Sequence, residues 1–183
     1  LVATSKQMAD FLRGKNPSAD LFLISTWARA DNVYPEKGAW HGTSVETMAK
    51  DVRSAYDQAA KNASIKTVVP VGESFIRAMT TGVADPNPYD GIEAKKLNLW
   101  TYDSYHASTY GYYLEALVIF GSVTGLDPRS LGELECSAFE LGLSRPEAKS
   151  LQQVAFDQLA ASRSITPALK EPAPRATPQR CAP

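Results

Sequence analysis

The chain is poor in the features that announce a function outright. Its 183 residues include two cysteines, Cys136 and Cys181. Two are too few for a disulfide framework and too far apart for a zinc-type pair. A single Cys136–Cys181 bridge, tying the C-terminal stretch to the domain, is the one crosslink within one chain that they allow. No glycine-rich phosphate loop of the dinucleotide or nucleotide type occurs. Serines are plentiful (Ser25, Ser44, Ser74, Ser104, Ser108 among them), yet none lies in a Gly-x-Ser-x-Gly elbow. No run approaches the roughly 18 apolar residues of a membrane span. The longest such stretch, Leu114 to Phe120, is broken by Glu115. Net charge is −1 and the pI is about 6.2, with lysine and arginine scattered. No basic stripe exists to track a phosphate backbone, which argues against a nucleic-acid partner.

What remains is a chain of 44% hydrophobic residues, enough to build the core of one ordinary domain. The composition changes near Thr166, where Pro, Ala, Arg and Lys replace large apolar residues. Residues 1–165 therefore read as the domain and 166–183 as a Pro-rich flexible tail. The sequence opens inside an amphipathic pattern, Leu1, Met8, Phe11 and Leu12, with no initiator Met and no signal-peptide pattern. That opening is the expected look of the back part of a longer polypeptide; a processed N-terminus is the alternative.

A first helix is expected through Arg13, ending at Gly14 and closed off by Pro17. Asp20 to Trp27 contains the continuous apolar run Leu21-Phe22-Leu23-Ile24, the pattern of a strand buried on both faces. Thr43-Ser44-Val45-Glu46 reads as a capping box opening a helix to about Asn62. Ile65 to Val71 reads as a second strand and Glu73 to Met79 as a helix. Leu97 to Thr101 reads as a short third strand, followed by a helix over Tyr112 to Phe120. A second capping box, Ser144-Arg145-Pro146-Glu147, starts the last helix. Strands alternating with amphipathic helices imply an α/β fold with a parallel sheet. Sites in such sheets form at the carboxyl ends of the strands. Trp27-Ala28-Arg29, Gly72-Glu73 and Asp103 to His106 each follow an expected strand and should converge on one edge.

Asp103-Ser104-Tyr105-His106 is the segment with the most chemistry. A carboxylate and an imidazole three residues apart can share one loop. The carboxylate then fixes the tautomer, and the second ring nitrogen is left to take a proton from a nucleophile. The plainer reading makes Asp103 a turn residue or helix cap and His106 a turn histidine. Trp27 and Arg29 could wall a substrate pocket, with Arg29 pairing either a substrate anion or a carboxylate such as Asp31. His41 with His106 and Asp31 is a loose metal-ligand set, and no metal is expected. Glu73 reads as an early-helix carboxylate favoured by the helix dipole. Ser108 most simply caps the helix that follows.

Taken in order, these pieces resemble the C-terminal part of an SGNH (GDSL-like) hydrolase. The resemblance spans roughly Asp20 to Leu131. It rests on Asp103-Ser104-Tyr105-His106-Ala107-Ser108, on Gly111-Tyr112-Tyr113-Leu114, and on Thr124-Gly125-Leu126-Asp127-Pro128. Ser25-Thr26-Trp27-Ala28-Arg29 and Val69-Pro70-Val71-Gly72-Glu73 resemble middle strands of a bacterial branch of that superfamily. The resemblance implies a three-layer flavodoxin-like parallel sheet and a serine ester hydrolase of the acyl or carbohydrate esterase type. Asp103 and His106 would be its two late triad members, and no cofactor would be needed. The family's early Gly-Asp-Ser-like block and oxyanion donors do not occur in this chain, and two of the usual five strands are missing. The resemblance therefore implies that the N-terminal part of the same protein is a partner and carries the nucleophile. It suggests secretion or the periplasm by analogy. The competing reading is a non-catalytic relative, a carbohydrate-binding or assembly module presenting Trp27, Trp40, Tyr102, Tyr105 and Tyr110.

Overall fold

A computed structural model describes residues 1–162. The expected tail from 166 and the Cys181 end of the expected bridge lie outside the described residues. Two short strands, β1 (Phe22–Ser25) and β2 (Thr67–Pro70), pair in parallel with Phe22 opposite Thr67 and Ser25 opposite Pro70. Helix α1 (Val2–Lys15) precedes β1. The crossover between the strands contains the single turn α2 (Ala30–Val33) and the long α3 (Val45–Asn62). Helix α4 (Val71–Thr80) starts directly at the end of β2. After a long loop come α5 (Thr109–Thr124), a 3-10 turn (Pro128–Leu131), α6 (Cys136–Glu140) and α7 (Arg145–Ala161).

The α/β class with parallel pairing agrees with the sequence pattern. Several details differ, and each difference has a physical reason. The apolar run of β1 is not buried on both faces: Ile24 is 36% exposed, so among the described residues the side of the strand that carries it is incompletely covered. Leu97 to Thr101 is not a strand. Leu99 and Trp100 are buried as expected, but their segment makes only isolated bridges, Ala84 with Leu97 and Trp100 with Ala107. Its backbone groups are used by neighbouring loops: Leu97 N–H donates to the Val83 carbonyl, and Ser108 N–H to that of Leu99. The sheet is thus two-stranded among the described residues. The first capping box also shifts. Ser44, not Thr43, caps α3 by accepting from Thr47 N–H, while the Thr43 hydroxyl donates to the Trp40 carbonyl. The second box, Ser144 with Glu147, forms as the spacing predicts.

The core lies where α3, α4, α5 and α7 meet the strands. Phe75, Leu99, Trp100, Leu114, Leu117, Leu151 and Leu159 are fully buried there. Two glycines permit the close approaches that set the geometry. A Cβ on Gly72 would strike the Thr26 carbonyl at the end of β1, and one on Gly111 would strike the Leu99 carbonyl. Close backbone approach of this kind is a role only glycine fills. Together they bring the starts of α4 and α5 against the residues that follow β1 and lead into the Asp103 loop.

Candidate active site

The segment from Leu99 to Gly111 folds into a tied loop. The Trp100 indole N–H donates to the Ala28 carbonyl at 3.0 Å, joining the loop to the end of β1. Thr101 N–H donates to the His106 carbonyl at 2.9 Å and closes the loop across its base. Ser108 then caps α5, its hydroxyl oxygen accepting from Gly111 N–H, as expected. Ser104 sits in the left-handed region with φ 55°. That conformation, uncommon for a residue with a side chain, turns successive amides toward one acceptor.

The acceptor is Asp103. Its Oδ1 receives the Thr101 hydroxyl at 2.6 Å, Tyr105 N–H at 3.0 Å and His106 N–H at 2.9 Å. Its Oδ2 faces His106 Nδ1 at 2.6 Å. The Thr101 hydroxyl, then His106 and the two amides, stabilise the charged form and hold this carboxyl well below the usual carboxylate range. An ionised carboxylate only accepts, so Nδ1 carries the proton in this pair. The lone pair of neutral His106 is then on Nε2, which has no hydrogen-bond partner among the described residues. The imidazole side chain is 57% exposed. The arrangement is therefore a base held in one tautomer with its reactive nitrogen open.

Trp27 and Arg29 do reach this loop. The Trp27 indole N–H donates to the Tyr105 carbonyl at 3.0 Å, and its ring stacks on Phe75 at 5.2 Å. The Arg29 guanidinium lies 3.7 Å from the centre of the Tyr105 ring, and that ring lies 4.3 Å from the His106 ring. Of the two partners expected for Arg29, the structure gives the carboxylate. Arg29 forks onto Asp31 through Nε and one terminal nitrogen, at 3.0 and 2.6 Å. This hydrogen bonding raises the Arg29 pKa further and keeps the group charged.

Other expected convergences fail. Glu73 belongs to the first turn of α4, as expected, but its ion pair is with Arg53 on α3. It lines a groove of about 740 Å³ with Lys50, Arg53, Arg77 and Gln158, to which none of Trp27, Arg29, Asp103 and His106 contributes. His41 Nδ1 lies 3.1 Å from the Tyr34 carbonyl. No group of three or more His, Cys, Asp or Glu residues is placed to hold a metal among the described residues. Trp40 and Tyr110 are engaged by Asp51 and Glu147. Thr101 was not legible as a site residue. Its only signal is a hydroxyl two residues before the aspartate.

These features define an α/β protein whose parallel strand pair carries a carboxylate–imidazole loop beside the end of β1. A solved structure shares the fold. The crystal structure of a DUF4886 family protein from Bacteroides uniformis ATCC 8492 matches with a TM-score of 0.62 and 18% sequence identity. The match covers 89% of this chain and 57% of that one. The chain thus spans less than two thirds of that neighbour, and at this identity the likeness is one of fold. No family model and no curated protein matches the chain. No helix among the described residues is long and apolar enough to cross a membrane.

Proposed function

We propose that this chain is the C-terminal part of a serine ester hydrolase of the SGNH type. Its sheet would be completed to the three-layer flavodoxin-like form by strands from the N-terminal part of the same protein. The observation that carries the reading is the 2.6 Å contact between Asp103 Oδ2 and His106 Nδ1, with Nε2 left open. In this reading an upstream serine attacks the carbonyl of an acyl or carbohydrate ester. His106 Nε2 takes the hydroxyl proton as the serine oxygen bonds to the carbonyl carbon. The same proton then goes to the departing alcohol oxygen as the ester bond breaks. Asp103 holds the ring and stabilises the imidazolium that forms between these two transfers. Water then attacks the acyl carbonyl and gives a proton to His106, which passes it to the serine oxygen as the acyl–serine bond breaks and the acid leaves. Upstream amides would stabilise the oxyanion.

Two observations support a companion segment. Leu1, Val2, Met8, Phe11 and Leu12 on and before α1 are exposed, as is Ile24 on β1, and the solved neighbour is much longer than this chain. An apolar face of this kind on a folded domain marks an interaction surface. The test is a fluorophosphonate serine probe on the full-length protein, read by intact mass and by ester turnover. An adduct on an upstream serine, with turnover abolished in His106→Ala and the fold intact, is expected. Near-normal turnover in His106→Ala overturns the reading. No adduct moves it to the non-catalytic module, for which the exposed Tyr102, beside the dyad, is the specific observation.

A further inference from the structure

Three donors converge on Asp103 Oδ1, and they are not equivalent. The amides of Tyr105 and His106 come with the turn itself, since an aspartate bonds the amides two and three residues on in any such loop. The Thr101 hydroxyl does not come with the turn. It is supplied by the residue whose own N–H is bonded to the His106 carbonyl at 2.9 Å. Thr101 therefore touches both members of the pair, through its backbone to His106 and through its side chain to Asp103. Its hydroxyl has two acceptors in range, Asp103 Oδ1 at 2.6 Å and the His106 carbonyl at 3.4 Å. The shorter contact takes the single proton. With Oδ1 saturated by three donors, rotation of the carboxylate is opposed, and Oδ2 is kept for the imidazole.

We propose that Thr101 is a positioning residue for the Asp103–His106 pair: its hydroxyl locks the carboxylate so that one oxygen alone faces Nδ1. The role rests on the reading of this pair as a catalytic base, but its test does not depend on turnover. The other charged or titratable groups near the carboxylate are His106, Tyr105 and Arg29, and Arg29 is fixed by Asp31. Neither Tyr105 nor Arg29 bonds the Thr101 hydroxyl, and His106 meets it only through its backbone carbonyl at 3.4 Å, so the side-chain change acts on the pair through Asp103 Oδ1.

The experiment compares Thr101→Val, which keeps the shape and removes the donor, with Thr101→Ser, which keeps the donor. Both are made in the full-length protein. NMR reads the titration of the Asp103 carboxyl carbon and the downfield Nδ1–H resonance of His106. Valine should raise the proton affinity of Asp103 by about tenfold and broaden or shift the Nδ1–H signal. Serine should restore both. Thr101→Ala gives the same comparison should valine disturb folding. Unchanged titration and Nδ1–H signal in the donor-free variants overturn the proposal. If the signals respond as expected while no variant, nor the unsubstituted protein, turns over esters, the positioning role stands and the hydrolase reading fails.

Discussion

Helices α1 and α5 are close in length, but α5 is far more apolar in sequence and their surroundings differ sharply. α5 buries Gly111, Tyr113, Leu114, Leu117, Val118 and Gly121 against α4, α7, β2 and the 3-10 turn. α1 buries only Ala9 and leans on α3, leaving Phe11 60% exposed and Met8 56% exposed. Phe11 and Met8 stay in water because, among the described residues, no second surface meets that side of α1. The Asp103 loop leads straight into α5, on the well-packed side of the molecule. That placement gives the Asp103–His106 pair a fixed geometry, because a loop inherits the rigidity of the elements that anchor it.

The largest expected effect strikes α5. Leu114 is fully buried, and Leu114→Ala should cost about 2–5 kcal/mol by removing contacts and leaving a cavity. Denaturant unfolding measures it. A cost below about 1 kcal/mol would mean that the α5 interface collapses to fill the space, and the contrast with α1 would lose its meaning.

A smaller effect, confined to alkaline solution, sharpens the same contrast. The Tyr34 hydroxyl donates to the Pro86 carbonyl at 2.6 Å and ties two loops together. Burial, with the charges of Glu46, Asp90 and Asp85 behind it, pushes its phenol up to about 12. A raised folded value means the contribution to stability is whole below the unfolded value of about 10 and is lost as pH rises from there to about 12. Tyr113 on α5 is raised as well, by burial. Stability followed from pH 9 upward should therefore fall steeply, and less steeply in Tyr34→Phe. Superimposable slopes would show that the Tyr34 phenol is solvated in the folded protein.

The sequence made the carboxylate–imidazole pair legible because three-residue spacing acts inside one loop, independent of anything distant. Parallel pairing was legible from the runs around Phe22–Ile24 and Val68–Val69 for a similar reason: length and composition suffice. Leu97 to Thr101 misled because burial of Leu99 and Trp100 looks the same in a strand and in a tied loop. The difference lies in where Leu97 N–H and the Leu99 carbonyl find partners, and Val83 and Ser108 supply those from outside the segment. Glu73 was legible as a first-turn carboxylate, but its expected convergence with the Asp103 loop was not, because a distant partner, Arg53, engages it, as Asp51 and Glu147 engage Trp40 and Tyr110. Thr101 stayed invisible because a threonine before an aspartate has no distinctive pattern until the backbone folds them together.

The smallest expected effect is at Phe11, and it bears most directly on what α1 is for. Its ring is mostly in water, beside Lys15. Phe11→Ser in the 183-residue chain should therefore change unfolding stability by no more than about 0.5 kcal/mol. Association at high concentration should fall, because the exposed apolar face is reduced. In the full-length protein the proposed companion segment would cover this face. There the same substitution removes buried ring surface and should cost about 3 kcal/mol. The contrast between the two measurements is the informative quantity, since the intrinsic helix preferences of the two residues cancel in it. Equal, small costs in both would make α1 an ordinary surface helix and remove the support it lends to a companion segment.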